Sequence, residues 1–402
     1  MRLSLVLHAL CITEALAAAP ITHLDSEKIV PNSFIVVLKK DVSSAAFKSH
    51  LTSASKLLSA NAIAPESTFD FDGLKGYHLK ASPAVAKQLA ESDEVSYIEA
   101  DQTFTLPPIT PSKPLAHRAV QSNVPSWGLA RISHRKKGST DYVYQQTSGT
   151  YTYIIDSGVH TSHTLFQGRA IWGANFVSGS TNDDENGHGT HVAGTAASQT
   201  YGVLRFGGII SVKVLGRDGS TATSILIQGI NWAVNDMKTR AGATGRSTAL
   251  LAVGGSVSTA LNNAVAAGSS AGLFFAVVAG NENQNTGNTS PGSEPSACTV
   301  GGTTISDERM SSSNYGAGVD IFAPGGSIPS LWYTSNTAIA TLSGTSMAAA
   351  HIAGLGAYFL ALEGTRTPAA LCARLQEVAT KNVLTGIPSG TPNLLAYNLS
   401  GL

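Results

Sequence analysis

Residues 273–283 read LFFAVVAGNEN, an apolar run from Leu273 to Ala279 that stops at a glycine and turns polar at Asn281. A strand with one wet face alternates polar and apolar residues, so a run apolar at every position needs cover on both faces. TYTYIID (150–156), GIISVKVL (208–215) and ALLAVGG (249–255) are largely apolar in the same way. Between them lie SILIQGINWAVNDM (224–237) and STALNNAVAAGSSA (258–271), whose apolar residues recur at helical spacing. Strands alternating with helices imply an α/β fold, a parallel sheet with helices on both faces. Chemistry in such sheets gathers at the carboxyl ends of the strands, where Asp156 and Asn281 stand.

GTSMAAAHIAGL (344–355) is a serine-bearing turn running into an apolar helix, and Ser346 is the candidate nucleophile. A hydroxyl is inert at neutral pH without a base and a carboxylate to orient that base. The base is His188, set between glycines in NGHGTHVAGT (186–195). Asp156, ending a buried strand in YTYIIDSGVH (151–160), is the carboxylate, since an acid there needs a partner such as an imidazole N–H. The Asn281 amide is placed to donate to an oxygen that becomes negative. His191 reads as a helix residue bonded to a local carbonyl, and His351 has no partner that the sequence names.

The chain order Asp156, His188, Ser346 is that of subtilisin. With DSGV, GHGTHVAG, AGNEN and GTSMA in that order, the stretch from WGLARIS (127–133) to PNLLAYN (392–398) resembles the secreted fungal subtilisins of the proteinase K subfamily, in particular the oryzin-like alkaline proteases. The resemblance implies a subtilisin-like serine endopeptidase of broad specificity acting on proteins and peptides. It assigns Asp156, His188 and Ser346 to catalysis and Asn281 to the oxyanion. Substrate would bind extended along Ala252, Val253 and Gly254, where the family pattern Ser-Leu-Gly-Gly reads Ala-Val-Gly-Gly. Val278 replaces a common alanine on the specificity-pocket wall, so aromatic residues before the scissile bond should be less favoured. Ala350 replaces a usual proline, which should let the helix straighten and slow acylation. A structural Ca2+ is implied at the carbonyls of Pro295 and Ala297 and the carboxylate of Asp320.

Residues 1–19, with Arg2, an apolar run and ALAAA, have the layout of a secretory signal, and no other segment is read as approaching a membrane-spanning length. Loss of Cys11 with that leader leaves Cys298 and Cys372, which suit an oxidising compartment and match a disulfide position of the family. Asn288 and Asn398 begin glycosylation sequons. Net charge is zero and only 13% of the 402 residues are charged, so neither a nucleic-acid surface nor an acidic tail is expected. A secreted, extracellular monomer without a membrane partner is assumed.

Residues 33–104 give the order βαββαβ, a small α+β ferredoxin-like unit, with a helix over 42–60 and a second starting at Ser82 and Pro83. Placed before a subtilisin-like domain, it resembles the I9-type inhibitor propeptide, which serves as chaperone and tethered inhibitor. TLPPITPSKPLAHR (105–118) has four prolines and no periodicity, and reads as a linker. The expected segments are thus a signal peptide 1–19, a propeptide 20–118 and a peptidase domain 119–402, with the junction near Arg118 or Ala119. Competing readings are an inactive paralogue serving as a scaffold, motivated by the departures at 252, 253, 278 and 350, and an esterase using the same triad.

Overall fold

The computed structural model describes residues 18–24, 26–60, 63–106, 110–111 and 123–401. Nearly all of the expected leader, with Cys11, and the junction near residue 119 lie outside these residues.

Strand β1 (Ile29–Leu38), helix α1 (Ser44–Ala60), strands β2 (Pro65–Phe71) and β3 (Leu74–Lys80), helix α2 (Pro83–Ala90) and strand β4 (Val95–Thr105) form the first unit. The strands lie in the order β4-β1-β3-β2 with antiparallel neighbours. Helix α2 begins as its sequence dictates, with Pro83 in the first turn and the Ser82 hydroxyl accepting from Val85 N–H. Because side chains alternate along a strand, β1 is apolar on both faces. Phe34, Val36 and Leu38 pack with Phe47, Leu58 and Leu89 of the two helices. Ile35 and Val37 face the other way and join the core of the second unit.

The second unit runs α3 (Trp127–Ser133), β5 (Ser148–Asp156), β6 (Ala170–Asn175), α4 (His188–Ala197), β7 (Phe206–Lys213), β8 (Ser220–Ala222), α5 (Thr223–Thr239), β9 (Ser247–Leu251), α6 (Thr259–Ser270), β10 (Phe274–Val278), β11 (Cys298–Thr303), β12 (Ile321–Pro324), β13 (Ile339–Ser343), α7 (Thr345–Glu363) and α8 (Pro368–Val378). Its main sheet has the order β12-β11-β10-β9-β5-β7-β6, and every one of these neighbours is parallel. Ile154, Leu250, Phe274 and Ala276 point to the side of α4 and α7. Tyr153, Ile155, Ala249, Leu251, Phe275 and Val277 point to the side of α5 and α6. Both faces are covered, which is why these strands are largely apolar on both sides.

Small residues decide how α4 meets α7. HVAGTAA and MAAAHIAG leave little bulk between the axes, and a Cβ on Gly354 would stand 2.6 Å from the Ala196 carbonyl. Nearer the amino ends, His191 and His351 lie close enough to influence each other electrostatically. The helices therefore run in the same direction, and His188 and Ser346 head the same end of the pair.

Helix α7 corrects one expectation. It has 19 residues and a mean hydropathy of 1.4, enough by length and composition to cross a membrane. It lies instead in the core, with every residue from Thr345 to Leu360 buried. Its apolarity serves packing on all sides.

Candidate active site

Strand β5 ends on Asp156, wholly enclosed, and helix α4 begins on His188, with about 1% of its surface exposed. His188 Nδ1 stands 2.9 Å from Asp156 Oδ1 and 3.0 Å from Oδ2. Asp156 Oδ1 also accepts Ser157 N–H at 2.7 Å, so the carboxylate cannot swing away from the ring. The flanking glycines have structural reasons. A Cβ on Gly189 would lie 2.0 Å from the Gly158 carbonyl, and one on Gly187, at φ +103°, 2.5 Å from the Trp332 ring. They let the loop after Asp156 and the Trp332 ring close against the head of α4.

Asp184 was not read from the sequence as functional. Its buried carboxylate accepts the Ser157 hydroxyl at 2.8 Å and the N–H groups of Asn186 and Gly187 at 3.0 and 2.8 Å. It also accepts the N–H and hydroxyl of Thr190 at 2.9 and 2.6 Å. Burial raises its pKa while the bonds from Thr190, Gly187 and Asn186 oppose the rise. One carboxylate thus ties the residue after Asp156 to the turn that carries His188. The weak clue was an acid four residues before the histidine.

Ser346 is the second residue of α7 and about 2% exposed. Its hydroxyl donates at 3.3 Å to the Ala252 carbonyl rather than to the imidazole. Hydrogen bonds of catalytic groups are often made only once substrate is in place. Thr345 N–H donates at 2.9 Å to Asn281 Oδ1, which leaves the Asn281 amide N–H groups free to donate elsewhere. Asn314 holds the Asn281 loop, donating to the Ala279 carbonyl at 2.8 Å and accepting from the N–H of Glu282 and Gln284 at 3.1 and 2.9 Å. It too escaped the sequence analysis, because its partners lie some thirty residues away.

The first unit reaches into this site. Thr103, Phe104 and Thr105 of β4 pair antiparallel with Ala222, Thr221 and Ser220 of β8, and Thr105 also bridges to Gly254. Leu106 N–H donates to the Gly219 carbonyl at 3.0 Å. Phe104 is buried against Gly255, where a Cβ would meet its ring at 2.7 Å. An extended segment lying between two edges is the pose of a bound peptide.

The model of the subtilase family matches residues 147–391. The chain belongs to the subtilase family. The peptidase inhibitor I9 model matches residues 33–107, so the first unit of this serine protease is its propeptide. A cuticle-degrading protease of Metarhizium anisopliae is 45% identical over 94% of this chain and 93% of its own. Subtilisin-like serine protease AsES of Sarocladium strictum is 44% identical over 99% of both chains. Among solved structures, a cold adapted subtilisin-like serine proteinase is 41% identical, covers 69% of this subtilase and 99% of itself, and superposes with a TM-score of 0.65.

The remaining expected site residues fall as follows. Ala252 and Val253 are wholly buried and turn their side chains to opposite faces of the sheet, so the groove sees their backbone. Val278 is buried beside Gly254, within 3.4 Å of where a Cβ there would stand. Cys298 and Cys372 form a disulfide with Cα atoms 5.7 Å apart. Asn288 is exposed, as a glycan carrier must be. Asn398 is a correction: it is fully buried and its amide donates to the Val143 carbonyl at 2.7 Å, leaving no room for a sugar in this fold. His191 also differs from expectation, since its carbonyl partner, at 3.0 Å, is distant Ile328.

Proposed function

We propose that this subtilase is a secreted endopeptidase of broad specificity that works through Asp156, His188 and Ser346 and an acyl-enzyme, and is made as a self-inhibited zymogen. The observation that carries this reading is the hold of Asp156 on His188 Nδ1 at the head of α4, beside the parallel helix headed by Ser346. His188 Nε2 takes the Ser346 proton as Oγ attacks the peptide carbonyl, and Asp156 stabilises the imidazolium. The Asn281 amide and the free N–H groups at the start of α7 receive the oxyanion. His188 then gives its proton to the leaving nitrogen, and water, deprotonated by His188, releases the acyl group. The segments follow as a signal peptide over 1–19, a propeptide over 20–118 and the mature enzyme from about residue 119.

A Ca2+ role fits the residues around Asp320. Its carboxylate is half-buried, which raises its pKa, and among the described residues it takes only neutral donors, Thr299 N–H and the Gln376 amide, both at 2.8 Å. Among the described residues it makes no ion pair, and the nearby Cys298 and Cys372 sulfurs are tied in the disulfide. Asp320 with the Pro295 and Ala297 carbonyls would hold the ion, which when bound supplies the missing positive charge. Chelation that leaves the melting temperature of the mature enzyme unchanged would overturn this assignment. Val278 should narrow the pocket, so chromogenic peptides with Ala or Leu before the scissile bond should be cut at least as well as those with Phe. A strong preference for Phe would refute it.

The function itself is tested with a serine-directed fluorophosphonate and with casein and a simple ester as substrates. The mature chain should be labelled and should cut casein, and Ser346→Ala should do neither. Labelling with ester but no casein hydrolysis would mark an esterase; no labelling would mark an inactive scaffold.

A further inference from the structure

Lys213 is a cation in a place where packing alone would take an apolar residue. It ends β7, in register with Asp156 of β5 on one side and Asn175 of β6 on the other. Its neighbours Val212 and Val214 face α5 and α6, and side chains alternate along a strand, so Lys213 points to the side of α4, as Asp156 does. There it is wholly enclosed. A buried amine is costly unless it is paired and hydrogen-bonded. Nζ donates at 2.6 Å to the Ser157 carbonyl and at 3.1 Å to the Leu215 carbonyl, and Glu185 Oε2 stands 3.8 Å away. Burial pushes the amine's pKa down, and the charges of Asp184, Glu185, Asp156 and Asp183, in that order, push it back up. The other charged groups nearby are spoken for. Exposed Arg217 is bonded to Glu185 at 3.0 Å, and His160 lies on Asp183 at 3.1 Å. From α4 and α7, His191 and His351 bring no charge near neutral pH, since burial pushes both down.

We propose that Lys213 is a positioning residue of the triad: its ammonium fixes Ser157, and through it the grip of Asp156 on His188, and supplies the positive charge that balances the buried Asp184 carboxylate. The inference rests on the triad proposed above. Every polar group of Ser157 is in use. Its N–H donates to Asp156 Oδ1, its hydroxyl accepts Gly189 N–H at 2.9 Å and donates to Asp184, and its carbonyl is held by Lys213. With an apolar residue at 213 that carbonyl loses its buried donor, and the chain from Ser157 to Gly158, which packs against Gly189, loses an anchor. The Asp156 carboxylate then keeps its bond to Ser157 N–H on a less rigid loop, and small displacements of a catalytic group cost rate. Charge acts in the same place. Asp156 and Asp184 are two carboxylates enclosed within a few residues of one another's loops, and the ammonium at the end of β7 is what offsets their repulsion.

The test is to compare mature wild type with Lys213→Met and Lys213→Gln on a chromogenic peptide across pH. Lys213→Met should lower kcat about ten- to a hundredfold with KM changed less than about threefold, because the lysine is enclosed away from substrate. The acidic limb of kcat/KM should also move to higher pH by about half a unit to one unit, as the carboxylates beside His188 lose their balancing charge. Lys213→Gln, which keeps a donor but no charge, should regain part of kcat and keep the displaced limb. A lower melting temperature with kcat and the limb unmoved would overturn the inference and leave Lys213 as filling. So would a raised KM at unchanged kcat. Should neither variant fold, nitrogen NMR of the lysine-labelled mature domain, inactivated by Ser346→Ala, decides: at pH 7 Lys213 should appear as an ammonium, and a neutral amine there would overturn the inference without any substitution at 213. Failure of wild type to react with a fluorophosphonate would instead remove the triad itself.

Discussion

His191 and His351 lie within a turn or so of His188 and Ser346, and both rings are wholly enclosed. Nδ1 of His351 meets the Met347 carbonyl at 2.8 Å, while its Nε2 has no partner among the described residues. Burial pushes His191 down to about 3, with the neighbouring His188 adding to the shift, and His351 down to about 4. An unfolded histidine titrates near 6.5, so between about 6.5 and about 4 the unfolded chain binds more protons than the native one. Stability therefore rises with pH through that window and is lost as pH falls. Denaturant unfolding of the mature domain, made inactive by Ser346→Ala, should weaken steadily from about pH 6.5 to about pH 5, before most carboxylates titrate. His163, also lowered by burial, acts in the same direction. A flat profile over that range would show that the two rings are not held neutral. The triad candidates were legible because each sits in a short motif with its own glycines. Asp184 and Asn314 were not, since their meaning lies in donors that only the folded chain brings to them.

Among the elements, α7 shows how far periodicity carries. Its existence was legible from GTSMAAAHIAGL, but a helix apolar all round has no face, so its full length and its place at the centre were not. It runs unbroken from Thr345 to Glu363 with Ala350 buried in its second turn. In an α-helix the Ala350 N–H bonds the Ser346 carbonyl, so this residue sets the pitch of the turn that carries the nucleophile. Proline at 350 would remove that bond and bend the turn, at a cost of about 3 kcal/mol in an ordinary helix. Sub-ångström placement of a reacting atom alters rate, so Ala350→Pro should raise the acylation rate constant by up to about tenfold while lowering the melting temperature. Burst kinetics with an active-site titrant measure the first and calorimetry the second. A variant that acylates no faster than the parent would mean that the straight helix already places Ser346 as well as a bent one.

For the whole molecule, the propeptide supplies the peptidase domain with atoms it lacks. Residues 99 and 101 share the face of β4 that meets the second unit. Glu99 accepts the Ser258 hydroxyl and, at 3.0 Å, Ala260 N–H at the start of α6. Asp101 accepts Ser224 N–H at 3.1 Å and its hydroxyl at 2.7 Å at the start of α5. An anion at a helix amino terminus satisfies free N–H groups and the positive dipole end. The two helices differ in what remains after the propeptide leaves. Helix α6 keeps Ser258, whose hydroxyl accepts Leu261 N–H, but α5 has Ala222 at its cap and no side chain to replace Asp101. The sequence showed two acids in SYIEADQ yet not which helices they serve, because that pairing exists only between units. Loss of a cap costs about 1 kcal/mol, and up to about 2, so each substitution to alanine should weaken inhibition of mature enzyme by added propeptide roughly five- to thirtyfold. Refolding should separate them further: Asp101→Ala should slow refolding of the full chain more than Glu99→Ala, since only α5 is left without a cap of its own. Equal effects in both assays would mean that the carboxylates act as docking contacts alone, and unchanged inhibition with both removed would mean that they carry no part of the grip.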